Sequence, residues 1–340
     1  MFTNKRGILA YVVIFVVIIS LITLAMALVV YNNLFGDTSK IDYKICQQSV
    51  FYRNTFNIGP VEAGKNTIPL ECKTEKICLE NSDKSCEEEF GKANTDNKIT
   101  LIKLSNDGEK AKEETFKTLS NAMYNCNKML GEGQLNFLPT KEFKYNYCII
   151  CSRIVFDDKA KALFPEGIAL LDLYNYMSIN KPEGEEETYL QSIYKTKSPK
   201  EIIDPLMNTD FSNVKNEKNE VKSINVNSND WMIDVNKAQI VIASMETNKG
   251  TAATKLIAGG AAAAVLAGTG LVVAPFTGGI SLVWVGVTLV VGGSGAITTG
   301  TLTYVAAYPE TGLVYYGPRI IPNEINEISG LKCQSFENLP

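Results

Sequence analysis

The chain has 340 residues, a formal charge of -4 and no histidine. A charge so mild, with no clustered basic face, excludes the phosphate-neutralising surface of a nucleic-acid binder, so no nucleic-acid partner is expected. The absence of histidine removes Ser-His and Cys-His nucleophile pairs, imidazole zinc sites and the usual general base near neutral pH. No spacing of carboxylate, Lys, Tyr or Cys picks out a catalytic, cofactor-binding or metal-ligating set, and the chain reads as non-enzymatic.

After MFTNKRG (residues 1–7) comes ILAYVVIFVVIISLITLAMALVV, Ile8 to Val30, with neither charge nor proline. A helix over 8–31 is long enough to span a bilayer, and Lys5 and Arg6 before it place the N-terminus in the cytoplasm. A cleaved signal peptide ending at Ala25-Met26-Ala27 is the competing reading. The apolar run is longer than such peptides use and continues past that site, which favours an uncleaved anchor. The KRG before an apolar helix also resembles the class III signal of pilin-like proteins, which are cut after the glycine, here Gly7. That family carries Glu five residues into the helix, where this chain has Val12.

Residues 32–254 then form the main body, expected outside the cell. Ser39 to Asn54 is a short helix carrying Cys46, and Ile68 to Glu80 is strand-like, with Cys72 and Cys78 on one face by parity. Asn81 to Asn97, which contains Cys86, is polar loop, and Ile99 to Leu104 is a further strand. In the helix predicted over Lys110 to Leu130, Phe116, Leu119, Met123, Cys126 and Leu130 recur at three- and four-residue steps, so that one stripe faces the core, and Gly131 suits the C-terminal cap.

YNYCIICSRIVF is rich in β-branched and aromatic residues and reads as a strand. Cys148 and Cys151 have the C-x-x-C spacing of redox motifs and of half a zinc site, but residues three apart on a strand face opposite ways and bond different partners. Ile168 to Met177 is helical, and Ser198-Pro199 opens another helix. Asn208 to Asp230 is polar loop, and Ala238 to Met245 an apolar strand. The eight cysteines, Cys46, Cys72, Cys78, Cys86, Cys126, Cys148, Cys151 and Cys333, are even in number and read as an exported disulfide framework, with the pairing left open among many.

No charged residue occurs from Leu256 to Pro309. Pro275 and the following Phe-Thr-Gly-Gly split this run into two arms, each long enough to span a bilayer, and 255–308 is expected to form a transmembrane helical hairpin. Small residues at steps of four, Gly260, Ala264 and Gly268 on one arm and Gly292, Ala296 and Gly300 on the other, give each helix a groove for close packing. Tyr304 and Tyr308 suit the headgroup zone. A hairpin returns the chain to the side it left, so 309–340, with Cys333, completes the outer domain. AQIVIASM before the run and GLVYYGPRII after it are strand-like and suited to antiparallel pairing.

AMYNCNKMLGEGQLNF, YCIICSRIVFD and LKCQSFENLP together resemble a family of uncharacterised archaeal membrane-anchored proteins. The resemblance implies an N-terminal helix, a cysteine-containing outer domain and a Gly/Ala-rich segment between two late strands, and it supplies no activity or ligand. The expected fold is an α+β extracytoplasmic domain with an N-terminal transmembrane helix and an inserted transmembrane hairpin. The expected role is a structural or interaction protein at the cell surface, with the lipid bilayer, further copies of the chain or other surface proteins as partners. Fusion or pore formation through the glycine-rich hairpin, and thiol-disulfide exchange at Cys148 and Cys151, are the alternatives.

Overall fold

The computed structural model describes residues 17–26, 38–56, 67–82, 86–90, 99–138, 146–198, 214–215, 221–222, 232–246, 264–266, 271–274, 282–291, 297–308, 313–325, 328, 331 and 333–337. The chain divides into two compact units, Met1–Lys44 and Ile45–Pro340.

In the first unit, residues 17–26 are helical. Among the described residues no helix is long and apolar enough to cross a membrane. The spanning helix expected over 8–31 is corrected accordingly, and the rest of that segment lies outside the described residues.

Elements in chain order are α1 (Thr38–Thr55), β1 (Glu75–Glu80), α2 (Glu87–Phe90), β2 (Ile99–Lys103), α3 (Gly108–Met129), β3 (Asn146–Phe156), α4 (Asp158–Leu163), β4 (Ile168–Ala169), α5 (Leu170–Ile179) and α6 (Tyr189–Tyr194). Strands then dominate: β5 (Val214–Lys215), β6 (Val221–Lys222), β7 (Met232–Ile233), β8 (Gln239–Glu246), β9 (Ala264–Leu266), β10 (Leu271–Ala274), β11 (Leu282–Val291), β12 (Ile297–Tyr308), β13 (Leu313–Pro322) and β14 (Cys333–Glu337). The helix opened by Ser198-Pro199 falls outside the described residues.

Among the described residues the sheet is mixed and has ten strands, in the order β2-β1-β3-β8-β13-β12-β11-β10-β9, with β14 also on β3. Its β1, β2, β3 and β14 run parallel to one another. β14 lies along the first half of β3, with Cys333 opposite Asn146, and β1 lies along the second half, with Leu79 opposite Phe156. On the other side β8 runs antiparallel to β3, and β13 antiparallel to β8. The two strands flanking the uncharged run therefore pair as expected, with Ile240 opposite Ile321.

The run itself is corrected. Its described residues are four antiparallel strands, β9 to β12, which extend the sheet outward from β13; they are not two helices. Val287 on β11 pairs with Val272 on one side and Leu302 on the other. Of the positions expected to line helix grooves, Ala264 sits opposite Val273 on β9 and Gly300 opposite Leu289 on β12. Gly260, Gly268, Gly292 and Ala296 lie outside the described residues. The physical reason lies in the side chains of LVWVGVTLVV and ITTGTLTYVAAY: Val, Ile and Thr branched at Cβ fit a pleated ladder and crowd a helix.

Helix α3 forms as its pattern dictates. Asp107 caps it, its carboxylate accepting from the amides of Glu109 at 3.0 Å and Lys110 at 3.3 Å. Phe116, Leu119, Met123 and Cys126 are buried along one stripe. Gly131 leaves the helix at φ +65°, a backbone state that suits glycine. Helices α3, α5 and α6 pack on one another, and α3 lies against β3, β8 and β13. Two short ladders, β4 with β7 and β5 with β6, stand apart from the main sheet.

Candidate functional site

All eight cysteines are paired: Cys46 with Cys72, Cys78 with Cys86, Cys126 with Cys151, and Cys148 with Cys333. Cys148 and Cys151 take different partners, and both are buried. The register of β3 against β8 slips between Ile150 and Ser152, so Cys151 is the extra residue of a bulge. Bulges re-aim a side chain, and this residue is the one bonded to α3 through Cys126. Cys148, in regular register opposite Ser244, bonds Cys333 at the start of β14. β3 is thus tied to the helical layer and to the last strand by residues three apart. Cys72 precedes β1 rather than sharing a strand with Cys78, and the expected loop after β1 contains α2, reached through the Cys78–Cys86 bridge.

Where parallel strands end, open α/β sheets offer a crevice that receives ligands. Here the ends of β1 and β3 are closed by the chain's own carboxylate. Asp157 Oδ2 accepts from the amides of Asn81 at 3.1 Å and Ser82 at 2.8 Å and from the Ser82 hydroxyl, while its Oδ1 accepts from the Ala160 amide at 2.6 Å, capping α4. Burial pushes the Asp157 carboxyl up, and these donors, led by the Ser82 hydroxyl, outweigh it and hold the group below the usual carboxylate range. The carboxylate occupies the position an anion would take and pins two loops together.

The densest polar chemistry lies between the sheet and helices α3, α5 and α6. Tyrosines gather here from separate elements: Tyr124 from α3, Tyr174 and Tyr176 from α5, Tyr189 and Tyr194 from α6, and Tyr315 from β13. Tyr174 and Tyr194 meet edge to face at 5.9 Å, Tyr124 and Tyr189 likewise at 6.1 Å, and Tyr176 stacks on Tyr189 at 6.4 Å. The hydroxyl of Tyr189 donates to Asn121 at 2.6 Å, and that of Tyr124 to Glu185 at 2.5 Å. Burial pushes the Tyr189 phenol up to about 12, with Tyr176 and Glu183 adding to it, and raises Tyr194 well above the ordinary tyrosine value. These are neutral hydroxyls throughout the physiological range.

Arg319 of β13 is set among these rings and is only 3% exposed. Its Nη2 donates to the Ser244 hydroxyl at 3.2 Å, and its Nε and Nη1 have no hydrogen-bond partner. The groups acting on its charge are Tyr316, Tyr315 and Tyr194. No carboxylate among the described residues pairs with it.

No family model, curated protein or solved structure matches this chain.

The arginine has a sequence signal: in GLVYYGPRII it is the one charged residue of an apolar strand, separated from two adjacent tyrosines by Gly317 and Pro318. A charge at such a position lies either on a solvated face or in a buried polar site, and strand parity alone does not choose between them once Gly317 and Pro318 disturb the register between Tyr316 and Arg319.

Proposed function

We propose that the chain is an exported, non-enzymatic protein with a structural or interaction role at the cell surface. The observation that carries this reading is the complete pairing of its cysteines, since such bridges persist in oxidising compartments and are rare in reducing ones. The lack of histidine, the engagement of all eight thiols, and the commitment of Asp157 to the loops around it support a scaffold rather than a reaction centre. The bridging of Cys148 and Cys151 to separate partners lends thiol exchange no support. The test is accessibility on intact cells. Lys159 is exposed on α4, and a Lys159→Cys chain is expected to react with a membrane-impermeant maleimide; labelling only after lysis would end the exported reading.

A second reading rests on the uncharged strands. β11 and β12 span ten and twelve residues, the length a strand needs to reach across a bilayer, which favours membrane activity through this antiparallel sheet. Dye release from liposomes, abolished by Val287→Asp with Leu302→Asp, is the expected outcome; leakage equal in wild type and variant would remove it.

A further inference from the structure

We infer that Arg319 holds a small oxyanion, a carboxylate or phosphate group, in the layer between β13 and the tyrosines of α5 and α6. Burial pulls the guanidinium down to about 10, the neighbouring tyrosines working against that fall, so it is still a cation at neutral pH. A buried cation is strongly disfavoured unless a counter-charge stands beside it. None of the described residues supplies one: Tyr194, fully buried and hydrogen-bonded to Tyr174, is held protonated, and Ser244 contributes only a neutral oxygen at 3.2 Å.

Geometry leads to the same assignment. A guanidinium presents two edges for bidentate binding, Nε with Nη2 and Nη1 with Nη2, and each edge here contains one nitrogen without an acceptor. Water would satisfy hydrogen bonds and leave the charge uncompensated. An oxyanion does both, and its planar or tetrahedral oxygens match the fork. Halide would neutralise the charge without using the fork, so chloride is the reference condition and not the expected occupant.

The measurement is thermal unfolding of the full chain in sodium phosphate and in sodium acetate, each against sodium chloride at equal ionic strength. A saturable rise in midpoint, on the order of 5 °C at a hundredfold excess over the dissociation constant, is expected in at least one of the two. Phosphate alone, acetate alone or both would each support the site and identify its chemistry. Arg319→Met should show no anion dependence. A flat wild-type response in both salts, or an equal rise in wild type and Arg319→Met, would overturn the assignment. Should Arg319→Met fail to fold, Arg319→Lys keeps the charge and loses the fork. Apparent affinity weakened tenfold or more then supports the site, and unchanged affinity overturns it.

Discussion

The hydroxyl of Tyr315 on β13 donates to Oδ1 of Asn127 on α3 across 3.0 Å, with both side chains out of water. The amide of Asn127 in turn donates to the carbonyl of Ser192 on α6 at 3.3 Å. One side chain therefore joins the sheet to two helices. Asn127→Leu withdraws an acceptor and a donor from buried groups at once, and a loss of about 2–4 kcal/mol in urea unfolding is expected. Tyr315→Phe removes only one of the two bonds and should cost less. If the two losses are independent in a double-mutant cycle, this connection carries no cooperative energy.

Gly133 tests the packing of the same tyrosine. Its φ is +73°, and a Cβ there would lie 2.1 Å from Cδ1 of Tyr315. Gly184 has a similar φ of +80° with nothing within 4 Å. Gly184→Ala should cost only the left-handed backbone penalty, about 1–2 kcal/mol. Gly133→Ala adds displacement of the ring and should cost about 2–5 kcal/mol. Equal losses would mean that the ring moves aside freely.

Asp157 makes stability depend on acid. Its folded-state carboxyl titrates below the ordinary value, so its stabilisation is present in full above the unfolded pKa of about 3.9 and is lost as pH falls through the depressed folded one. Unfolding free energy should therefore decline below about pH 5. Glu132, also held low because the hydrogen bonds from Lys128 and Lys195 overcome its burial, contributes in the same direction. Asp157→Asn should be less stable at pH 7 by about 1.5–3 kcal/mol and show a shallower acid slope. An unchanged slope would assign the acid sensitivity elsewhere.

The bridges differ in the loops they close. Cys126–Cys151 has a sequence separation of 25, and Cys148–Cys333 one of 185. By loop-closure entropy, removing the first pair as a double alanine variant should cost about 3.5 kcal/mol and the second about 5 kcal/mol. Denaturant midpoints of the two variants check the order; a reversed order would show that local packing, not chain entropy, sets their value.

How far the residues disclosed this fold depends on what signal each segment carried. Where period and length agreed, as in α1, α3, β3, β8 and β13, the elements stand within a few residues of their expected bounds. The opposite facing of Cys148 and Cys151 followed from strand parity, although the bulge at Cys151 is a register effect visible only against β8. Leu256 to Pro309 misled because an uncharged run of bilayer length was weighed as helix. Hydropathy measures how apolar a segment is and is blind to period, whereas Val283, Val285, Val287, Thr299, Thr301 and Thr303 alternate in the manner of strands. The tyrosine layer was hidden for another reason. Tyr174, Tyr194 and Tyr315 come from elements far apart in the chain, and no local pattern records that they converge.

The interlaced bridges also determine how the molecule would bear a pull on its two ends. Tension entering at Cys46 passes directly to Cys72, runs along the backbone to Cys78, crosses to Cys86, and follows the chain to Cys126. From there it crosses to Cys151, backtracks to Cys148 and leaves through Cys333. Everything from Ser152 to Lys332, including the uncharged strands, the tyrosines of α5 and α6, and Arg319, hangs outside the load path. Under mechanical stress the tension runs through the stretch from Cys86 to Cys126, which carries most of α3, while the covalent bonds spare Arg319 any direct load.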